Sequence, residues 1–155
     1  MGEEVKINVL YIDDEVSNLS AFKATYRRIY NIFIAESAKE GRDILEKNDI
    51  EIILTDQRMP VMTGVEFLQS IIETRPDPMR ILVTGYSDIT AIIDAVNKGQ
   101  IYRYISKPWN TDYLKITIDK AFEVYSLRKK NKELRDSLLK VNNQLEFMLR
   151  QKLIT

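Results

Sequence analysis

The sequence predicts a doubly wound α/β fold on a five-stranded parallel sheet, extended at its C-terminus by a long helix. Three observations carry that expectation. Five short apolar runs recur between Ile7 and Ile105. Stretches with helical spacing and helix-start signals separate them. From Thr111 to Leu153 the chain then contains neither Gly nor Pro.

The first run is Ile7 to Ile12 (INVLYI), which ends in acidic residues. Asn31 to Ala35 (NIFIA), Ile50 to Thr55 (IEIILT), Arg80 to Thr84 (RILVT) and Ile101 to Ile105 (IYRYI) follow. All are short and rich in β-branched or aromatic residues. Continuous runs of this kind suit strands buried on both faces, as in a parallel sheet. Ser37-Ala-Lys-Glu40 is a capping box and opens the second helix. Thr63-Gly-Val-Glu66 is another, followed by Val65, Leu68, Ile71 and Ile72 at helical spacing. A fourth helix is expected from Ser87, with Ile89, Ile92, Ile93 and Val96 on its apolar face and Gly99 as its stop. A fifth begins near Thr111. Five successive βα units imply right-handed crossovers, with functional groups gathered at the carboxyl ends of the strands.

Composition narrows the chemistry. The length of 155 residues suits one domain with a proper core and leaves no room for a second full domain. There is no Cys, so no disulfide framework or thiolate site is expected. There is no His either, which removes the commonest general base and transition-metal ligand. Carboxylates, Lys, Thr, Ser and Tyr remain, together with a hard oxygen-bound cation such as Mg²⁺. No apolar run is long enough to span a membrane, and Glu3 and Glu4 stand where a signal peptide would be basic. Lys6 likewise argues against myristoylation at Gly2. The expected location is cytoplasmic. Charge is uneven: residues 124–155 hold eight Lys/Arg against three Asp/Glu, whereas residues 1–123 hold 15 against 20. An acidic globular part and a basic tail point to different jobs.

The strand-end rule collects the chemistry at one rim. The first strand ends in Asp13-Asp14, the third in Thr55-Asp56, the fourth in Thr84-Gly85 and the fifth in Ser106-Lys107-Pro108. Taken singly, each has a structural explanation. Asp13-Asp14 could cap the following helix, Asp56 could be a turn residue before Pro60, Thr84-Gly85 a strand exit, and Lys107 a solvated lysine. Together they are harder to explain that way. Three converging carboxylates repel unless a cation intervenes, and such a set with open water positions suits Mg²⁺. Lys107 adds a fixed positive charge and Thr84 a hydroxyl. A carboxylate nucleophile, a hard metal, a lysine and a hydroxyl form a phosphoryl-transfer site that makes an aspartyl phosphate.

Asp13-Asp14, Asp56-Gln-Arg-Met-Pro60 with Gly64, Thr84-Gly85 and Lys107-Pro108 resemble the receiver domain of two-component response regulators. The resemblance covers roughly residues 5–125. It implies a flavodoxin-like receiver over residues 4–123 and an extension over 124–155. It further implies that Asp56 takes a phosphoryl group from a phosphohistidine on a sensor histidine kinase or phosphotransfer protein. Asp14, Asp56 and the backbone carbonyl of Arg58 would hold Mg²⁺, with Asp13 mainly through water. Lys107, through a cis bond to Pro108, would pair with a phosphoryl oxygen. Thr84 would move to the phosphoryl group, and Tyr104 would turn inward with it as a switch. On the residues alone Tyr102 competes for that place. Bulky Arg58 and Tyr86 would slow water attack and lengthen the life of the phosphoryl group. No turnover of an external substrate is expected.

The fifth helix runs on past the receiver. Val124, Asn131, Leu138 and Leu145 repeat every seven residues, as do Leu127, Leu134, Val141 and Met148 three positions later. These read as a and d positions of a heptad, with Asn131 fixing a parallel dimer register. A homodimeric coiled coil is the leading expectation, and a helix folded back on its own domain is the rival. Lys130 and Arg135 would meet as like charges, and Leu139, Phe147 and Leu149 lie off the seam. The basic cluster Arg128-Lys129-Lys130-Asn131-Lys132 reads as a solvated face, with no nucleic-acid motif. The output is open. Thr84-Gly-Tyr-Ser-Asp88 and Gly99 to Trp109 are similar to receivers joined to HD-GYP cyclic-dinucleotide phosphodiesterases, nucleotide cyclases or transcriptional activators. With no His, the chain cannot itself carry an HD-GYP site.

Overall fold

In a computed structural model, residues 5–85, 92–93 and 100–154 are described. Five strands, β1 (Asn8–Ile12), β2 (Asn31–Ala35), β3 (Ile52–Asp56), β4 (Met79–Thr84) and β5 (Arg103–Ser106), form one sheet. All pairings are parallel and the order is β2-β1-β3-β4-β5. Between them lie α1 (Val16–Tyr26), α2 (Ala38–Lys47) and α3 (Gly64–Ser70), and the C-terminal helix spans Thr111–Ile154. This is the doubly wound sheet that the five apolar runs predict. The strand order reverses between β1 and β3, which opens a crevice at their carboxyl ends. Of the fourth helical segment, only Ile92 and Ile93 fall among the described residues. Tyr86, Ser87, Ile89, Val96 and Gly99 lie outside them.

Alternation along each strand splits the core in two. Val9, Tyr11, Ile52, Leu54, Ile81 and Val83 face α1 and the root of the C-terminal helix, where Leu19, Phe22, Leu114 and Ile118 meet them. Leu10, Ile12, Ile53 and Leu82 face the other way, onto Leu45 of α2 and Phe67 and Leu68 of α3. Because each strand feeds both layers, β1, β3 and β4 read as unbroken apolar runs and not as alternating ones.

Boundaries shift where the apolar pattern records burial and not strand pairing. Ile50 and Ile101 are buried, yet β3 starts at Ile52 and β5 at Arg103. Their side chains enter the core from the connections. Both expected N-caps form: Ser37 and Thr63 accept from the Glu40 and Glu66 amides, each at 3.2 Å. The Glu40 carboxylate reaches back to the Glu36 amide at 2.8 Å, one residue before the N-cap. The helix α3 ends at Ser70, so Ile71 and Ile72 lie in the turn beyond it. The C-terminal helix is capped by Asn110, whose side-chain oxygen accepts the Tyr113 amide at 3.0 Å.

The C-terminal helix does not fold back. Ala121 is its last buried residue, and Phe122, Val124 and Tyr125 still pack against the sheet's core. From Ser126 to Ile154 every residue is exposed. Val124, the first expected a position, packs against the sheet's core, and the free seam begins at Leu127, which is 67% exposed. The basic cluster is exposed as expected. No helix among the described residues is long and apolar enough to cross a membrane.

Two phenols tie α1 and its exit to this helix. Tyr26 donates to the Thr111 carbonyl at 2.8 Å and Tyr30 to the Asp119 carboxylate at 2.7 Å. Burial, with the Asp112 charge adding to it, pushes Tyr26 from 10.0 up to about 12. Above the ordinary value the unfolded chain gives up this proton first, so folding stability falls between about pH 10 and 12. Tyr26→Phe is expected to flatten that part of the decline in urea titrations across this window. The slopes from Tyr11 and Tyr30, which burial shifts the same way, remain.

Candidate functional site

The crevice between β1 and β3 is where Asp13, Asp14 and Asp56 meet. Asp13 follows the last residue of β1 and is fully buried, and Asp56 closes β3 at 8% exposure. Asp14 is exposed beside them. Each of the three can place a carboxylate oxygen within 4.8 Å of the others. Lys107, just past β5, reaches across the rim. Its Nζ lies 2.9 Å from Asp13 Oδ2 and 3.1 Å from Asp56 Oδ1. The Lys107–Pro108 bond is cis.

The two buried carboxylates are held differently. Burial alone would raise Asp13, but donors outweigh it. Lys107, the Glu15 amide at 2.9 Å and the Tyr11 phenol at 2.7 Å leave Asp13 below the ordinary carboxylate range. Burial raises Asp56 and outweighs the relief that Lys107 gives, and the nearby charges of Asp13 and Asp14 add to the rise. Lys107 itself ends above its usual value, because the two carboxylates overcome its own burial. The rim therefore combines a firmly ionised carboxylate, a second one under like-charge pressure, and a shared ammonium. Such a set can accept a further hard cation or an anionic oxygen-rich group.

The simpler reading of Asp13 also holds in part. Its Oδ1 accepts the amide of Glu15, the N-cap residue of α1. Glu15 makes no side-chain cap bond of its own. Asp13 thus serves the helix start and the rim together.

Thr84 and Tyr104 stand apart from the carboxylates. Thr84 is buried at the end of β4, and its hydroxyl donates to the Gly85 carbonyl at 3.2 Å. Tyr104 on β5 is 42% exposed. Tyr102 packs partly buried against the core, with the Arg103 guanidinium 5.4 Å from its ring centre. Arg58 lies exposed in the loop after β3.

Three residues that shape the site, Tyr11, Asn18 and Gln57, carry no motif of their own in the sequence. Tyr11 and Asn18 both donate to Asp13 Oδ2, at 2.7 and 3.1 Å. Period-two spacing puts residues 11 and 13 on one strand face, so the Tyr11 contact left a signal; Asn18 left none. Gln57 closes the loop after Asp56. Its carbonyl accepts the Gly64 amide at 3.0 Å and its side chain accepts the Val65 amide at 3.0 Å. Gly64 fits because this return is so tight. A Cβ there would run into the Asp56 carbonyl oxygen and lie 2.9 Å from Leu82 Cδ1. Because the first obstacle is backbone, Gly64→Ala is expected to cost about 1–3 kcal/mol in urea unfolding.

A family model described as response regulator receiver domain matches residues 9–119. The chain is 41% identical over 120 residues to the hydrogenase transcriptional regulatory protein HoxA of Cupriavidus necator, covering 77% of this chain and 25% of that protein. It is 28% identical over 116 residues to the transcriptional regulatory protein ZraR of Escherichia coli, covering 74% and 26%. The chain thus spans about a quarter of the length of these curated relatives. Among solved structures it resembles an adenylate cyclase structure from Rhodopirellula baltica, with TM-score 0.79, 30% identity, and 83% and 96% coverage of the two chains. It also resembles the signal receiver domain of an HD domain-containing protein from Pseudomonas fluorescens, with TM-score 0.77, 26% identity, and 84% and 96% coverage.

Proposed function

The chain belongs to the response regulator receiver family of two-component signalling, and we propose that Asp56 is the residue on which it accepts a phosphoryl group. A receiver is a regulatory unit, in contrast to an enzyme that turns over an external substrate. The observation that carries the assignment is the meeting of Asp13, Asp14 and Asp56 under the shared Lys107 ammonium.

In this reading an Asp56 oxygen attacks phosphorus and the donor's bond to phosphorus breaks, leaving an acyl phosphate on Asp56. The donor is a phosphohistidine on a sensor kinase or phosphotransfer protein. Lys107 stands close enough to follow the new phosphoryl oxygens. The three carboxylates, with the Arg58 carbonyl, have the oxygen chemistry and the open flank that Mg²⁺ favours. Bound Mg²⁺ would neutralise charge between carboxylates and phosphoryl oxygens. Thr84 and Tyr104 are assigned as the switch pair. The Thr84 hydroxyl on Gly85 and the exposed Tyr104 ring suit the state before phosphorylation. Arg58 and Tyr86 are assigned to slow hydrolysis, and a half-life as short as that of chemotaxis receivers would count against this.

Incubation with acetyl phosphate and Mg²⁺ is expected to add one phosphoryl mass to the intact protein, and EDTA or Asp56→Asn to abolish it. An unmodified wild-type chain would overturn the assignment.

The receiver is taken as residues 4–123 and the remainder, 124–155, as a dimerising linker. Leu127, Leu134, Leu138, Val141, Leu145 and Met148 are all more than half exposed on one helix, and Asn131 at an a position suits a parallel pair of copies. Light scattering is expected to find a dimer that truncation after Tyr125 converts to monomer. A full-length monomer at all concentrations would remove the linker claim and leave the receiver claim intact. The output proposed first is transcription, on the strength of the named regulators; a nucleotide cyclase or HD-domain enzyme is the second reading, favoured by the solved structures. The length of the full gene, and any further domain it encodes, distinguishes the two.

A further inference from the structure

Tyr11 lies in the core beneath the acidic rim and is fully buried. A phenol in that place needs an acceptor. It uses a carboxylate of the rim: the hydroxyl donates to Asp13 Oδ2 at 2.7 Å. Two more donors reach the same oxygen, Asn18 Nδ2 at 3.1 Å and Lys107 Nζ at 2.9 Å. The other oxygen, Oδ1, accepts the Glu15 amide. Asp13 is thereby gripped from the strand below, from α1 and from across the rim.

The Tyr11 ring is itself fixed. Phe22 meets it at 4.8 Å with planes 80° apart, and Trp109 meets it at 5.8 Å with planes 62° apart. Trp109 and Lys107 flank Pro108, so one short segment touches the phenol ring with one residue and the carboxylate with another. The hydroxyl has little freedom to turn elsewhere.

Lys107 differs from the other two donors, because it is shared with Asp56. A phosphoryl group on Asp56 would compete for it. Tyr11 and Asn18 have no such second claim within the rim; Asn18 also donates to Glu15 at 3.2 Å, which lies on the helix side. They are the donors that stay with Asp13 when Lys107 is drawn away.

We propose that Tyr11 is a positioning residue for Asp13, holding its carboxylate in the orientation that receives the divalent cation whether or not Lys107 is engaged with it. This rests on the phosphoacceptor reading above. Removing a hydrogen-bond partner that orients a metal-site carboxylate typically costs 10- to 100-fold in metal affinity.

The test compares the wild-type chain with Tyr11→Phe, which keeps the ring and removes only the hydroxyl. Mg²⁺ binding is read from the rise in thermal midpoint as MgCl₂ is titrated, and phosphorylation by acetyl phosphate is read by intact mass over the same titration. In Tyr11→Phe the Mg²⁺ midpoint is expected to rise about tenfold in both readouts, while the rate at saturating Mg²⁺ stays at the wild-type level. A general packing defect would instead depress the saturated rate and leave the Mg²⁺ midpoint in place, and that result overturns the proposal. Asn18→Ala removes a second donor from the same oxygen at a half-buried position. It is expected to shift the Mg²⁺ midpoint in the same direction, and it decides the matter if Tyr11→Phe does not fold. A wild-type chain that shows neither Mg²⁺ stabilisation nor an adduct overturns the phosphoacceptor reading and this one with it. A normal wild type with an unshifted Tyr11→Phe overturns this one alone.

Discussion

Crowding of like charge at one sheet edge is the constraint on which the rest depends. Asp13, Asp14 and Asp56 come together because the strand order reverses between β1 and β3. Left alone, two of those charges would be buried without compensation. The structure answers with Lys107, delivered from β5 on the far side of β4, and with a set of donors on Asp13. Asp56 is left less well compensated, and its raised protonation tendency follows. That imbalance is what a receptive site requires: a carboxylate fully satisfied by its own protein has nothing left to offer an incoming group. Another donor on Asp56 would relieve that pressure and leave the rim less open to a further cation or anionic group.

Much of this was legible in the sequence because each component sits at a place that local rules can find. Apolar runs located five strands, capping boxes located α2 and α3, and the rule about strand carboxyl ends turned a one-dimensional list into one rim. Asp13, Asp14, Asp56 and Lys107 were placed together on that rule, and the structure puts them there. The missing parts have identifiable reasons. Apolar pattern reports burial, so it placed Ile50 and Ile101 in strands although both precede the ladder. Asn18 and Gln57 look like ordinary helix and loop residues, and their bonds depend on how the chain turns back. Val61 takes a backbone φ of 72° while fully exposed, and a β-branched residue gives no advance sign of that conformation. Tyr102 and Tyr104 were ambiguous for the opposite reason. Two equal residues at period two need the surrounding packing to tell them apart, and the packing separates one held at the core from one facing solvent.

The relatives differ in the work they are named for. Receivers of this shape occur in proteins named for transcription, for adenylate cyclase activity and for an HD domain. Proteins named for unlike tasks thus share this (βα)5 body. Whatever distinguishes these systems must pass through the segment where the body ends. In this chain that segment is one unbroken helix rooted in the core by Leu114, Ile118 and Ala121.

That root has a mechanical consequence. The helix packs into the core as far as Ala121 and Tyr125, Arg128 adds a contact to Met79 Sδ at 3.6 Å, and the helix continues in one piece to Ile154. At 1.5 Å per residue the unanchored part is a rod of roughly 40 Å. A reorientation of about 5° at its base would carry the far end through about 3.5 Å, a displacement of more than half a helical turn. The domain therefore needs no large rearrangement to be heard at a distance. Its long arm converts angular play near the rim into linear travel, and two such arms twisted together would convert it into rotation.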